Sequence, residues 1–380
     1  METYVFHLMP WPYLDPDFAQ RYETVWVDFS NQHYDPERGV AVYNQYLDQL
    51  EYADQLGYDG VVVNEHHQTS YGNMPSPNIM AAMLARRTRR AKIAIMGNAL
   101  PLYDHPLRVA EEVAMLDVVT GGRIISGFVR GIGCEYYVFQ VNPAHSYERF
   151  REAHDLIVQA WTRPGPFEFR GKFYDLPYVN TWPRPVQKPH PPIWIPSSGS
   201  LETIRWAVAH RYPYVQTTNP ARAVLKNFEL YREEAERQGF SAGPEYLGWS
   251  MPIYVAETDA QALAEAKPHL EYYWRSFKMS VELRLPPGYS SVASTIRTRQ
   301  IKALDTRTAM TAEDLLEQEM AIIGSPATVR DRLAEYYRTM RFGKILALMH
   351  FGTMPHHLAL KNLELYAREV MPFVRGLGPS

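Results

Sequence analysis

Gly60-Val61-Val62-Val63-Asn64-Glu65-His66-His67 is the stretch on which the fold of this chain turns. Three β-branched residues in a row predict a short buried strand. The titratable triplet after them must leave the core, because an unpaired buried charge is costly. A second run, Arg123-Ile124-Ile125-Ser126-Gly127-Phe128-Val129, ends the same way, in Arg130-Gly131. In a repeating strand–helix protein, residues just past the C-terminal strand ends converge on one mouth. One strand then delivers an imidazole pair and another a guanidinium. A proton-handling group and an anion-holding group would share one pocket.

Working outward, six more apolar runs read as strands, at 4–8, 92–100, 192–196, 212–217, 249–256 and 344–350. Helical patterns lie between them. Tyr43, Tyr46, Leu47, Leu50 and Ala53 make one apolar face; Phe150, Ala153, Ile157, Ala160 and Trp161 make another. Gly57, Gly239 and Gly343 follow helical runs, as C′ glycines do, and Pro106, Pro220 and Pro326 sit at helix starts. Eight strands alternating with helices predict the α/β class and a (β/α)₈ barrel, as one domain over residues 1–380. Such a barrel takes roughly 250 residues, so insertions are expected. One is a rim hairpin near 162–192, rich in Pro, Gly and aromatics. The other, near 277–315, has the length of a lid; the alternative is an excursion that covers another subunit.

The 380 residues are 46% hydrophobic and 21% charged, enough to build a large core. A net charge of −3 without a basic stripe excludes a nucleic-acid surface. The first nine residues enter a strand-like run at once. With no basic n-region and no apolar stretch of spanning length, a cytoplasmic protein without membrane attachment is expected. A lone Cys134 excludes an internal disulfide and a thiolate metal cluster. The 26 Tyr and 8 Trp suit a pocket for a flat ring or an apolar substrate.

His66 and His67 alternate about a strand end, so one can face the pocket and the other the wall. Adjacent histidines on a strand point apart and do not share an ion; the first strand lacks a His-x-His pair, so no catalytic metal is expected. Arg130, beside Gly131 and Gly133, offers a planar fork for a phosphate or ring carbonyl. Ser197-Ser198-Gly199-Ser200 before a helix presents free N–H groups and hydroxyls to an anion, with plain N-capping by Ser200 as the other reading. Met96-Gly97-Asn98 is a strand end whose small residues let a flat ring approach.

With those residues laid out, the chain resembles the bacterial luciferase-like family of flavin-dependent monooxygenases. The resemblance runs from Tyr4 to about Arg375. It is carried by residues 57–67, by Leu107-Arg108-Val109-Ala110-Glu111-Glu112, by Gly121-Gly122-Arg123, by Phe128-Val129-Arg130-Gly131 and by Lys188-Pro189-His190-Pro191-Pro192-Ile193. It implies a (β/α)₈ barrel, a homodimer packed through helices after the early strands, and reduced FMN supplied by a separate NAD(P)H:flavin reductase. It implies dioxygen and a small organic substrate, with oxygenation through a C4a-hydroperoxyflavin. By position, His66 resembles the family's catalytic pocket histidine and Arg130 the phosphate arginine. Ser198, Gly199, Ser200 and Thr203 resemble the phosphate turn. Met96, Gly97 and Asn98 fall at the flavin face, where the family often has a non-prolyl cis peptide; Ala99 would join them. Val129 stands where luciferase has a cysteine. The alternatives on this fold are an F420-dependent oxidoreductase and a non-catalytic flavin-binding protein.

Overall fold

A computed structural model describes residues 1–301 and 310–378. Eight strands run β1 (Glu2–Phe6), β2 (Gly60–Val63), β3 (Lys92–Ala99), β4 (Ile124–Val129), β5 (Ile193–Ser197), β6 (Tyr214–Gln216), β7 (Leu247–Val255) and β8 (Lys344–Leu348). All pair in parallel. β1 lies between β8 and β2, and β6 pairs with β7, so the sheet closes on itself. The expected (β/α)₈ barrel is the observed one.

Side chains alternate across each strand, so one face fills the barrel and the other meets the helices. Tyr4, Val62, Ala94, Ile125, Trp194, Val215 and Leu346 fill the interior, with Tyr4 edge-on to Trp194 at 5.1 Å. A packed interior leaves the C-terminal mouth as the place for a site.

The helices form the outer ring: α1 (Pro36–Leu56), α2 (Pro77–Arg87), α3 (Leu107–Thr120), α4 (Ser146–Thr162), α5 (Leu201–Ala209), α6 (Ala221–Arg237), α7 (Asp259–Ser276), α8 (Pro326–Met340) and α9 (His356–Leu365). Their ends follow local chemistry. Asp35 accepts the Glu37 and Arg38 N–H groups at the start of α1, and Gly57 closes it in the left-handed region at φ 85°. Gly343 does not play the expected part after α8. Arg341 takes the left-handed turn at φ 50°, and a Cβ on Gly343 would meet the Pro244 carbonyl at 2.7 Å. That glycine serves close chain approach instead.

One short strand escaped the periodicity, and the insertions sit between barrel strands. Ile322–Gly324 pairs in parallel with the outer half of β7, and three residues are too few to show a period. Between α4 and β5, Phe167–Arg170 and Asp175–Val179 form an antiparallel hairpin. After α7 come two short helices, Val281–Arg284 and Val292–Ile301, and then Ala312–Glu317. Residues 302–309 of the expected lid lie outside the described residues. Among the described residues, no helix is long and apolar enough to cross a membrane.

Candidate active site

The two histidines after β2 take opposite sides. His66 turns into a cavity of about 520 Å³ at the C-terminal mouth. Its ring stands edge-on to Trp26 at 5.1 Å and to Tyr71 at 5.3 Å. Its Nδ1 lies 3.2 Å from Oε1 of Glu135, a buried carboxylate whose Oε2 accepts the Ile132 N–H at 2.7 Å. A carboxylate oxygen is an acceptor, so the proton of that bond sits on Nδ1; in the neutral ring Nε2 is then the acceptor, and in the protonated ring it is a donor.

His67 turns to the wall. Its Nε2 lies 2.8 Å from Oε1 of Glu65, whose Oε2 accepts from the Tyr103 hydroxyl at 2.8 Å and the Ala99 N–H at 3.3 Å. Burial alone would lower the pKa of His67. The hydrogen bond to Glu65 and the charges of Glu65 and Glu135 outweigh it and raise that pKa.

Arg130 occupies the other end of the cavity. Its guanidinium is buried between two aromatic faces, Tyr147 at 3.8 Å and Tyr289 at 4.1 Å. Nη1 donates to Ser146 Oγ at 3.1 Å and to the Tyr289 carbonyl at 2.7 Å. Among the described residues no carboxylate forms an ion pair with it. Ser198, Ser200 and Thr203 line the same end, at the start of α5. Ser200 stands at the N-cap position without capping. Its hydroxyl pairs with Tyr147 at 2.5 Å and donates to Glu202 at 3.1 Å. The capping reading of Ser200 is therefore wrong for its side chain.

Of the residues singled out in the sequence, His66, Met96, Gly97, Arg130, Ser198, Ser200 and Thr203 line one cavity. Asn98, Ala99 and Gly199 do not. The pairing of β3 with β4 shifts register between Ile95 and Asn98, which lets Met96 and Gly97 both face inward across a cis peptide. Asn98 then points out, where its amide nitrogen lies 3.1 Å from Asn78 Oδ1 and 3.2 Å from the Tyr103 hydroxyl. Ala99 packs with Leu102, Tyr136 and Tyr289. Gly199 makes the turn at φ 107°, where a Cβ would strike Asn227 Nδ2 at 2.4 Å.

Glu135, Tyr147 and Tyr289 were missed. Glu135 carried a faint signal, an acidic residue in the first turn of a short helix after the Gly131 turn. Tyr289 comes from far along the chain, and only the fold brings it to Arg130.

A phosphate-bearing flat cofactor such as FMN fits these residues. The Arg130 guanidinium is buried without an ion pair, and the N–H groups not used by Ser146 and the Tyr289 carbonyl suit an anionic oxygen. The hydroxyls of Ser200 and Thr203 lie beside it at a helix start. The far end is apolar and aromatic, with Phe6, Tyr71, Trp274, Phe277 and Leu348. For a metal, one group among the described residues brings three donors within 4.8 Å, namely His154, Asp155 and His210. It lies outside this cavity, and both His154 ring nitrogens are already engaged, with Asp155 and Tyr212.

A sequence profile described as luciferase-like monooxygenase matches residues 23–341. An uncharacterized protein, y4wF, of Sinorhizobium fredii is 29% identical over 340 residues, covering 88% of this chain and 94% of that protein. The oxygenase component of the flavin-dependent trigonelline monooxygenase of Acinetobacter baylyi is 29% identical over 164 residues, covering 42% of this chain and 45% of its own length. Among solved structures, the oxygenating constituent of 3,6-diketocamphane monooxygenase from Pseudomonas putida, a type II Baeyer–Villiger enzyme in complex with FMN, superposes with a TM-score of 0.74. It covers 98% of each chain at 21% identity, which speaks for the fold.

Proposed function

The chain belongs to the luciferase-like monooxygenase family, and from that premise we propose that it is the oxygenating component of a two-component system. It would receive reduced FMN from a separate NAD(P)H:flavin reductase in the cytoplasm and use dioxygen on a small organic substrate. The observation that carries this reading is one cavity holding both an unpaired buried guanidinium and a carboxylate-held imidazole.

When bound, reduced FMN supplies the two electrons and activates dioxygen. The protein's own tasks follow from its side chains. Arg130, Ser200, Thr203 and the first turn of α5 hold the phosphate. Met96 and Gly97 give the ring a surface to lie against. Glu135 keeps the Nδ1 proton of His66 in place, so Nε2 meets the reacting groups and takes or returns a proton there. Trp26, Tyr71, Tyr273, Trp274 and Phe277 crowd the site with rings and keep water out. The same rings suit a substrate with an apolar body.

A homodimer is supported by surface chemistry. Ile79 and Met83 on α2, with Met115, Val118 and Val119 on the neighbouring α3, are exposed apolar residues after the early strands. A solution mass of one chain by light scattering would remove that part of the reading.

The test is anaerobic titration with reduced FMN, followed by oxygen and a panel of organic substrates. Saturable binding and oxygen-dependent product formation are expected. Failure to bind reduced FMN, or tighter binding of reduced F420, would sink the reading.

A further inference from the structure

Asn64 follows directly on β2. Val62 fills the barrel interior, and Asn64 comes two residues later on the same face, at the floor of the cavity. β2 and β3 pair as far as Val63 with Ile95, and that register carries Asn64 to a place beside Met96. Phe6 and Leu348, both apolar, line the same floor. In this setting the Asn64 side chain is buried, and its Oδ1 has no hydrogen-bond partner among the described residues. Ser70, Asn98, Ser126, Thr181 and Asn227 also carry a buried oxygen without a partner. Of these six residues, Asn64 alone lines the cavity.

An unmatched buried amide costs free energy that a leucine of similar volume would not. The cost falls beside Met96 and Gly97, where the cofactor ring is to lie. We propose that Asn64 is a specificity-determining residue that reads a lactam-type edge, an N–H beside a C=O, on a ring bound in this cavity. This rests on the reading of the cavity as a flavin site. A primary amide offers an acceptor and a donor side by side, the complement of such an edge. The N–H of the ligand supplies what Oδ1 lacks, and Nδ2 donates to the carbonyl next to it. Two sources carry that edge: the pyrimidine ring of the flavin, and an organic substrate with a ring amide. A ligand without the edge leaves the amide buried and unpaired, so this contact discriminates more sharply than an apolar one.

The experiment is calorimetric binding under nitrogen to the full chain and to Asn64→Leu, with two pairs of ligands. The first pair is reduced FMN and its analogue methylated at the pyrimidine N–H between the two carbonyls. The second, offered to the FMN-loaded chain, is δ-valerolactam and cyclohexanone. Within one pair, the preference for the N–H compound should fall about tenfold from wild type to Asn64→Leu, the upper size of a neutral hydrogen bond. A fall in the first pair assigns the edge to the flavin, and a fall in the second assigns it to the substrate. The ligand-free Asn64→Leu chain should unfold at the same urea concentration as the wild type or a higher one, because the substitution removes an unmatched group. A lower midpoint, which would give the amide to the fold, overturns the proposal while leaving the flavin site standing. Unchanged preferences in both pairs do the same. A wild type that binds no reduced FMN overturns both.

Discussion

Two imidazoles one residue apart make the sharpest comparison in this molecule. Both sit on buried carboxylates. His67 turns away from the cavity, and its partner Glu65, which also lines the cavity, joins it to a network that runs through Tyr103 to Asn98 and Asn78. His66 and Glu135 belong to the cavity, with the ring opening onto 520 Å³ of space. The difference teaches that a histidine–carboxylate pair is not a functional signature by itself. What matters is where the second ring nitrogen points. In the wall pair the bond ties two parts of the fold together; in the cavity pair it would leave Nε2 free for the proton transfer proposed for His66.

That division can be broken by substitution. The largest effect is expected for Glu65→Ala, which leaves His67, Tyr103 and the Ala99 N–H without their common acceptor. Folding stability in urea should fall by about 3–5 kcal/mol, as for a broken buried pair, with Glu65→Gln recovering part of it. A loss within experimental error would remove the structural role assigned to the wall pair.

Next comes His66→Ala. Turnover to product should fall by about a hundredfold, the lower range for a lost proton-transfer group. Reduced FMN should still bind, and stability should change little. Unchanged product yield per flavin oxidised would show that the cavity imidazole handles no proton.

Arg130→Ala tests the other end of the cavity. Reduced FMN should bind more weakly by about 1.5–3 kcal/mol, the size of a charged hydrogen bond, as measured by calorimetry. A much smaller loss would move the phosphate elsewhere.

The smallest effect is a pH dependence of the wall pair. The pKa of His67 is raised in the folded chain, whereas an unfolded histidine titrates near about 6.5. The group therefore adds stability that is fully present below that pH and is lost as pH rises through the folded value. The stability difference between wild type and His67→Gln should be larger at pH 6 than at pH 8.5. A difference that grows with pH would reverse the sign of the assignment.

Much of this was legible in the residues. The strand at 60–63 announced itself by three valines, and the change to Glu-His-His marked its end. Met96 and Gly97 line the cavity, and small residues at a strand end are visible without a structure. Asn98 lies outside the cavity lining for a local reason: one irregularity in the β3–β4 pairing decides which neighbour faces in, and no periodicity reports it. Gly199 makes a left-handed turn and does not itself line the cavity, whereas its neighbours Ser198 and Ser200 do.

The sequence by itself determined the closed ring of strands, the mouth that carries the site, and the two residue types at its poles. Apolar period and strand-end chemistry are local properties, and they survive without tertiary knowledge. Only the fold decided that Glu135 holds His66 and that Tyr289, 159 positions beyond Arg130, lies on its guanidinium. Such partners meet through packing between distant segments, and sequence spacing carries no record of that distance in space.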